Sequence, residues 1–156
     1  MPLARISQRI QRHSTTTILM IGFRPRENLS KIEQLHSQIN SGAVVLVDWR
    51  DKHYSSEPGR TRPAIVVVNS VLLANLRVLT VVPLTGDVNL APPSLSIRID
   101  PNGRNGLKKP SYALAWNIQT VAVERTTTTN AVVTGAEVNA IRRLIVEYLT
   151  TKLEDQ

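Results

Sequence analysis

Short apolar runs separated by turn residues dominate the middle of the chain. The runs are dense in Val, Ile and Leu, a composition typical of β-strands. They are the segments GAVVLVDW (42–49), PAIVVVN (63–69), LRVLTVVPL (76–84), SLSIRI (94–99), YALAW (112–116) and TVAVE (120–124). Because no helical pattern lies between them, they favour an antiparallel, curled sheet or small barrel over alternating strands and helices.

Helical spacing occurs before this region. Ser30 and Glu33 form a capping box, and apolar residues follow at helical spacing, so a short helix is predicted over residues 30–40. Residues 1–29 are rich in Arg, Thr and Gln with little periodicity, which predicts a basic, flexible extension. The chain is therefore predicted to comprise this extension, the short helix and one domain at residues 41–156.

A second capping box, formed by Thr134 and Glu137, begins the last segment of the chain. One apolar stripe follows it: Val138, Ile141, Leu144, Ile145, Tyr148 and Leu149. The stripe predicts a C-terminal helix that docks on the sheet. The long polar side chains of this segment are expected to face away from the sheet: Arg142, Arg143, Glu147 and Lys152.

Composition narrows the chemistry. The 156 residues include no cysteine, so disulfides, thiolate zinc sites and thiol nucleophiles are excluded, as suits a cytoplasmic protein. No apolar run approaches the roughly 20 residues of a membrane helix, so a soluble protein without a membrane partner is expected. The net charge of +7 favours an anionic partner. Residues 1–41 hold six Lys or Arg against two Asp or Glu, so either a basic tail or a functional basic surface explains the charge.

Two residues at the ends of predicted strands suggest a site for a phosphodiester. Arg62 begins one strand, and Thr85 ends the next, while a loop carrying Glu57 and Arg60 precedes Arg62. A cation, a hydroxyl and a loop at one end of a sheet can bind a phosphate. Simpler explanations stay open, because Arg62 could form a surface ion pair with Glu57 or Asp87, and Thr85 could bond its own backbone.

The turn DPNGRNGLKKPS (100–111) is the second basic feature. It carries Arg104, Lys108 and Lys109, with Arg98 just before it and Ser111 at its end. Glycine-rich backbone can approach a ligand closely, and lysines supply point charges to phosphates. The alternative is a solvated hairpin loop whose lysines only keep the sheet edge soluble.

Five blocks of the sequence resemble the MazF/PemK (Kid) family of toxins. They are GAVVLVDW, SEPGRTRPAIVVVNS (56–70), VVPLTG (81–86), NGLKKPSYALAWNIQTVAVER (105–125) and TGAEVNAIRRLIVEYL (134–149). The resemblance covers about residues 41–153 and keeps the order and approximate spacing of the blocks. It implies a mainly β fold, an SH3-like small barrel of the CcdB/MazF type with a C-terminal helix, to which the short N-terminal helix is added.

The resemblance also implies a function. Such toxins of type II toxin-antitoxin systems are metal-independent endoribonucleases that need no cofactor and cleave single-stranded RNA, often mRNA. The ribose 2′-hydroxyl attacks the adjacent phosphate and leaves a cyclic phosphate and a 5′-hydroxyl. Arg62 matches the family's catalytic arginine, which stabilises the phosphorane, Thr85 its catalytic threonine, and Glu57 its loop glutamate. The family further implies a homodimer and a cognate antitoxin, which we expect to be acidic.

The remaining candidate groups have RNA-binding or loop-orienting roles. Arginine is a poor proton acceptor, so His53 in the first long loop is a candidate base, although a loop histidine is often only exposed. Where many relatives carry Asp-Gln, this chain has Trp116 and Asn117. Trp116 either stacks a base or belongs to the core or dimer interface. Arg60, Lys108, Lys109 and Ser111 complete the candidates.

Two other functions are compatible with a barrel of this kind. One is a non-nuclease toxin that poisons DNA gyrase, as related CcdB-type barrels do. The other is a non-catalytic barrel that binds nucleic acid or protein. Neither needs the pair of Arg62 and Thr85, so this pair favours the nuclease.

Overall fold

A computed structural model describes residues 39–49, 61–68 and 76–150 of the chain. These residues form a mostly antiparallel sheet and a C-terminal helix, so the predicted mainly β fold is confirmed. The elements are β1 (Ala43–Asp48), β2 (Thr61–Val66), β3 (Val78–Thr85), β4 (Ser96–Ile99), β5 (Ser111–Leu114), β6 (Gln119–Ala122), β7 (Thr126–Val132) and α1 (Gly135–Thr150), with 3-10 turns at Val88–Leu90, Ala115–Asn117 and Val123–Arg125.

Strand β3 is the centre of the sheet. The strand order is β4-β5-β3-β2-β1-β7, and β6 also pairs with β3. The first half of β3 pairs with β6 and its last two residues pair with β5, while β2 occupies the opposite edge. The 3-10 turn Ala115–Asn117 separates β5 from β6 and moves the chain along β3. Both strands are therefore shorter than the apolar runs that predicted them.

The sheet is open rather than a closed barrel. Among the described residues, no ladder joins the outer strands β4 or β6 to β7. Strands β4 and β6 have only four residues each, which leaves short edges. Strand β7 was not predicted, because its sequence TTTTNAV lacks the alternation of apolar and polar residues. Threonine nevertheless favours strands, and pairing with β1 decides the outcome.

Both faces of the central strands β1, β2 and β3 are buried, which explains their continuous apolar runs. Successive residues of one strand enter different clusters, as Val44 and Val45 show. The cluster under α1 is formed by Val44, Ile65, Val67, Val82, Leu84, Ile99, Ala113, Ala115, Val133, Val138, Ile141 and Ile145. The cluster on the opposite face is formed by Ile39, Val45, Val47, Trp49, Ala64, Val66, Leu79, Val81, Val121 and Val123.

The predicted capping box begins α1. The Thr134 hydroxyl accepts the Glu137 N–H at 3.2 Å, and a Glu137 carboxylate oxygen accepts the Thr134 N–H at 2.7 Å. Val138, Ile141 and Ile145 are buried, whereas Tyr148 and Leu149 are 43% and 67% exposed. The buried stripe is thus shorter than the sequence predicted.

The prediction for Arg142 is wrong. Its Nε donates to the carbonyl of Val67, and its Nη2 donates to the Ser41 hydroxyl, both at 2.7 Å. The Val67 carbonyl lies just beyond β2, and the Arg142 guanidinium reaches back to the sheet and donates to it. Arg143 is exposed as expected.

The predicted extension at residues 1–29 and most of the predicted helix at residues 30–40 lie outside the described residues. Ile39, at the end of that helix prediction, is 1% exposed and belongs to the cluster opposite α1. No helix among the described residues is long and apolar enough to cross a membrane.

Candidate active site

The strand registers bring Arg62 and Thr85 together. Arg62 pairs with Val47 of β1, and Ala64 pairs with Pro83 of β3. Extended by two residues past the last observed pair, that register sets Arg62 opposite Thr85. Directly opposed residues of antiparallel strands share a face, and neighbouring strands lie about 4.8 Å apart. The two candidate catalytic residues therefore occupy adjacent positions at one end of the sheet.

Thr85 is held in place by the turn that follows it. Its side chain is only 6% exposed, and Oγ1 accepts the N–H of Asp87 at 3.1 Å. The Asp87 carboxylate in turn accepts the N–H of Asn89 at 2.9 Å. From the sequence, a hydrogen bond between the Thr85 hydroxyl and nearby backbone is one of the open alternatives, and the bond from the Asp87 N–H is such a contact. A hydroxyl can accept and donate at once, so its hydrogen stays available to an acceptor.

Lys109 lies across the glycine that follows Thr85. A methyl group added to Gly86 would lie 2.6 Å from Cε and 2.9 Å from Nζ of Lys109. Glycine therefore leaves the room that the lysine occupies beside Thr85. Arg62 on β2 and Lys109 between β4 and β5 thus bring two basic residues to this end of the sheet. Lys108 and Lys109 are both exposed, and the atoms that a methyl group at Gly86 would meet belong to Lys109.

The loop that carries Lys109 is internally bonded and not a loose hairpin connection. Asn105 is 1% exposed, its amide donates to the Asp100 carbonyl at 2.8 Å, and its oxygen accepts the N–H of Leu107 at 3.2 Å. The carbonyl of Arg104 accepts the N–H of Val132 at 2.9 Å, which joins the loop to β7. The backbone that leads to Lys109 is therefore held by hydrogen bonds.

Ser111 and Trp116 do not share the position of Thr85 on the sheet. Ser111 is buried on the face of the sheet that packs under α1, and its hydroxyl donates to the Lys109 carbonyl at 3.3 Å, a contact suited to orienting the loop. Trp116 lies in the 3-10 turn beside α1 and is half-buried. Its indole N–H is buried and has no partner among the described residues.

Glu57, Arg60 and His53 lie outside the described residues, in the segment between β1 and β2. The start of that segment is held by Arg125, which the sequence did not single out. Arg125 donates through Nε at 3.0 Å and Nη2 at 2.6 Å to the carbonyl of Asp48, the last residue of β1. Only its place at the end of the block at residues 105–125 distinguished Arg125 in the sequence.

Tyr112 is a second residue that sequence reasoning missed. It pairs with Thr85 across β3 and β5 and is half-buried. In the run YALAW it reads as one more apolar strand residue. Only the register identifies it as the neighbour of Thr85. Across residues 39–49, 61–68 and 76–150, no three of His, Cys, Asp and Glu form a group that could hold a metal ion.

Comparison with known proteins agrees with this architecture. Solved structures share the fold, among them the following three. The Mycobacterium tuberculosis toxin MazF-mt6 has 19% identity and a TM-score of 0.56, covering 71% of this chain and 99% of its own. MazF from Deinococcus radiodurans has 15% identity and a TM-score of 0.58, covering 71% and 96%. An endoribonuclease in complex with its cognate antitoxin, from a mycobacterial species, has 20% identity and a TM-score of 0.56, covering 74% and 99%.

At these identities the solved structures show the fold alone. Among curated proteins, no sequence matches the chain. The family assignment comes from a family model, that of the PemK-like, MazF-like toxins of type II toxin-antitoxin systems, which matches residues 40–149. The chain therefore belongs to the PemK-like, MazF-like toxin family of type II toxin-antitoxin systems.

Proposed function

We propose that this toxin cleaves single-stranded RNA, including mRNA, without a metal ion. The observation that supports the proposal is the antiparallel pairing of β2 with β3, because it puts Arg62 and Thr85 at the same end of neighbouring strands, with Lys109 lying over Gly86. A phosphodiester at this end of the sheet would meet a guanidinium, a hydroxyl and an ammonium. A nucleic acid is the anionic partner that fits the net charge of +7.

The reaction has three requirements at one phosphate, which are removal of the 2′ proton, stabilisation of the charge on the phosphorane and protonation of the leaving 5′-oxygen. The 2′-oxygen loses its proton to a base and bonds to phosphorus, the bond from phosphorus to the 5′-oxygen breaks, and the 5′-oxygen takes a proton from the protonated base or from water. The products are a cyclic phosphate and a 5′-hydroxyl. Arg62 stabilises the negative charge of the phosphorane through charge-assisted hydrogen bonds, and Lys109 adds a point charge. The Thr85 hydroxyl donates to a phosphate oxygen, a role that its bond from the Asp87 N–H leaves open.

The proton acceptor comes from the segment between β1 and β2 in this proposal. His53 is its candidate because imidazole titrates near neutral pH, whereas a guanidinium stays protonated. Glu57 orients Arg62 or the segment itself, and Arg60 contacts the RNA backbone. Arg125, through the Asp48 carbonyl, fixes where the segment leaves β1.

The partners follow from the family and the charge. Among the similar structures, one is described as an endoribonuclease in complex with its cognate antitoxin and another as MazE-MazF from Deinococcus radiodurans. We infer that this chain forms a homodimer in the cytoplasm and is blocked by an acidic antitoxin. Sedimentation would test the dimer, and mixing with a small acidic protein encoded beside the toxin would test the inhibition.

The test of catalysis is cleavage of a fluorescent single-stranded RNA in EDTA. The wild type is expected to cleave, and Arg62→Ala is expected to lose about 100-fold or more, the usual effect of removing one donor to a developing oxyanion. Thr85→Val should also lose activity, and Thr85→Ser should retain more of it because the hydroxyl stays. Arg143→Ala is the matched control, since Arg143 is exposed on α1.

Each alternative outcome has a distinct meaning. No cleavage by the wild type, or equal cleavage by Arg62→Ala, would contradict the nuclease. Growth arrest that persists in the Arg62→Ala variant would favour a gyrase poison, and RNA binding without cleavage would favour a binding module.

A further inference from the structure

Two more side chains continue the row of Arg62 and Thr85 across the sheet. Thr85 pairs with Tyr112 on β5, and Tyr112 pairs with Arg98 on β4. Thr85, Tyr112 and Arg98 therefore lie side by side on β3, β5 and β4, and the extended register adds Arg62 on β2. With three steps between strands of about 4.8 Å each, the row spans about 14 Å. This is longer than a single phosphate group and suits a short stretch of extended RNA.

The row lies on the face of β3, β5 and β4 that α1 does not cover. Leu84, Ala113 and Ile99, which alternate with the row, belong to the cluster under α1. Thr85, Tyr112 and Arg98 therefore point to the other side. Tyr112 is half-buried and Arg98 is exposed. Within the described part of the chain, no group bonds the Tyr112 hydroxyl.

The neighbouring row on the same face, at the first residue of β4, is covered. Ser96 pairs with Leu114, both residues are buried, and the Ser96 hydroxyl donates to the Pro92 carbonyl at 2.7 Å. The segment before β4 thus protects that row. The row of Tyr112 and Arg98 is left accessible, next to Thr85.

Arg98 is held but still has donors to offer. Its Nε and Nη2 both lie 2.9 Å from one carboxylate oxygen of Asp100. Both side chains are more than half exposed, so the ion pair contributes little to stability. A guanidinium has five N–H donors, and three remain for another acceptor. Asp100 therefore positions Arg98 without occupying all its donors.

We propose that Tyr112 and Arg98 form a subsite for the nucleotide next to the scissile phosphate, in which the Tyr112 ring stacks on the base and Arg98 binds the following phosphate. This inference rests on the proposed RNA cleavage at Arg62 and Thr85. An aromatic ring beside a cation is the usual way in which proteins bind single strands, and stacking tolerates any base. The subsite therefore adds affinity and position with little sequence preference.

The test measures binding of an RNA that cannot be cleaved, with a 2′-deoxy nucleotide at the mapped cleavage position. Tyr112→Leu should bind about tenfold more weakly than the wild type, and Tyr112→Phe should bind more tightly than Tyr112→Leu because it keeps the ring. Arg98→Ala should reduce the slope of log affinity against log salt by about one phosphate contact. Lys152→Ala, distant in sequence, serves as the charge-matched control. Thermal unfolding of each variant confirms that it is folded.

A second RNA separates stacking from a change in fold. An abasic nucleotide is placed in turn on either side of the scissile phosphate. At one of the two positions it should weaken wild-type binding about tenfold, while Tyr112→Leu loses nothing further there. The subsite would be overturned if Tyr112→Leu and the wild type bound the intact RNA equally, or if the abasic nucleotide weakened the binding of both proteins equally. Neither result would contradict the nuclease. A wild type that neither binds nor cleaves RNA would overturn the subsite and the nuclease together.

Discussion

Replacing Gly86 by alanine should displace Lys109 from Thr85 and leave the fold intact. The new methyl group would lie 2.6 Å from Cε and 2.9 Å from Nζ of Lys109, closer than carbon atoms approach each other. The obstacle is the far end of a flexible side chain, so the lysine moves and the backbone does not. Among the described residues the glycines with positive φ are Gly42 and Gly106, so Gly86 is not one of them and alanine fits its backbone.

The substitution should change both the activity and the stability of the protein. A hydrogen bond to a charged group contributes about 1.5 to 3 kcal/mol, and an exposed ammonium such as that of Lys109 falls at or below the lower end. A loss of about 1 to 1.5 kcal/mol in transition-state stabilisation corresponds to a drop of about five- to tenfold in kcat/KM. Stability should rise by about 0.4 to 1 kcal/mol, because alanine restricts the unfolded chain more than glycine does. Activity and stability therefore change in opposite directions.

The assay is single-turnover cleavage of a fluorescent RNA, with thermal unfolding measured on the same samples. Gly103→Ala is the matched control, since a methyl group there would meet nothing within 4 Å. Adding Lys109→Ala to the Gly86→Ala variant should cause little further loss, because the contact is already gone. Wild-type cleavage by Gly86→Ala, or full additivity of the two changes, would refute the role assigned to Lys109.

Two predictions concern the docking of α1. Arg142→Ala should lower the free energy of unfolding by about 1.5 to 3 kcal/mol, because the Val67 carbonyl loses a charged donor, whereas Arg143→Ala should change it by less than about 0.5 kcal/mol. Equal effects of the two substitutions in urea unfolding would contradict the observed contact. Thr134→Ala should lower stability by about 1 kcal/mol through loss of the capping box with Glu137, and an unchanged urea midpoint would show that the cap is not needed.

Local sequence patterns predicted most elements of the fold. The apolar runs marked β1 to β6, and the capping box marked the start of α1, because these signals lie within a few residues. Strand β7 was missed since four threonines carry no alternation and become a strand only by pairing with β1. The position of Arg142 also depends on a distant partner, a carbonyl 75 residues away in the chain.

The candidate site was predicted less completely than the fold. Arg62 and Thr85 came from a family resemblance, but their adjacency depends on the register of β2 against β3. The contact of Lys109 with Gly86 and the row through Tyr112 depend equally on pairing between separate segments. The sequence gives no reason to prefer Lys109 to Lys108 as a site residue. The fold distinguishes the two lysines, because Lys109 lies against Gly86.

In the proposed mechanism, the 2′-hydroxyl of RNA is the nucleophile at the site of Arg62 and Thr85. The most direct test compares two oligonucleotides that differ by one atom, an RNA with a mapped cleavage position and the same RNA with a 2′-deoxy nucleotide there, both in EDTA. The RNA should yield a cyclic phosphate and a 5′-hydroxyl, and the 2′-deoxy oligonucleotide should stay intact. Cleavage of the 2′-deoxy oligonucleotide at the same position, or a 5′-phosphate on the product, would contradict the mechanism.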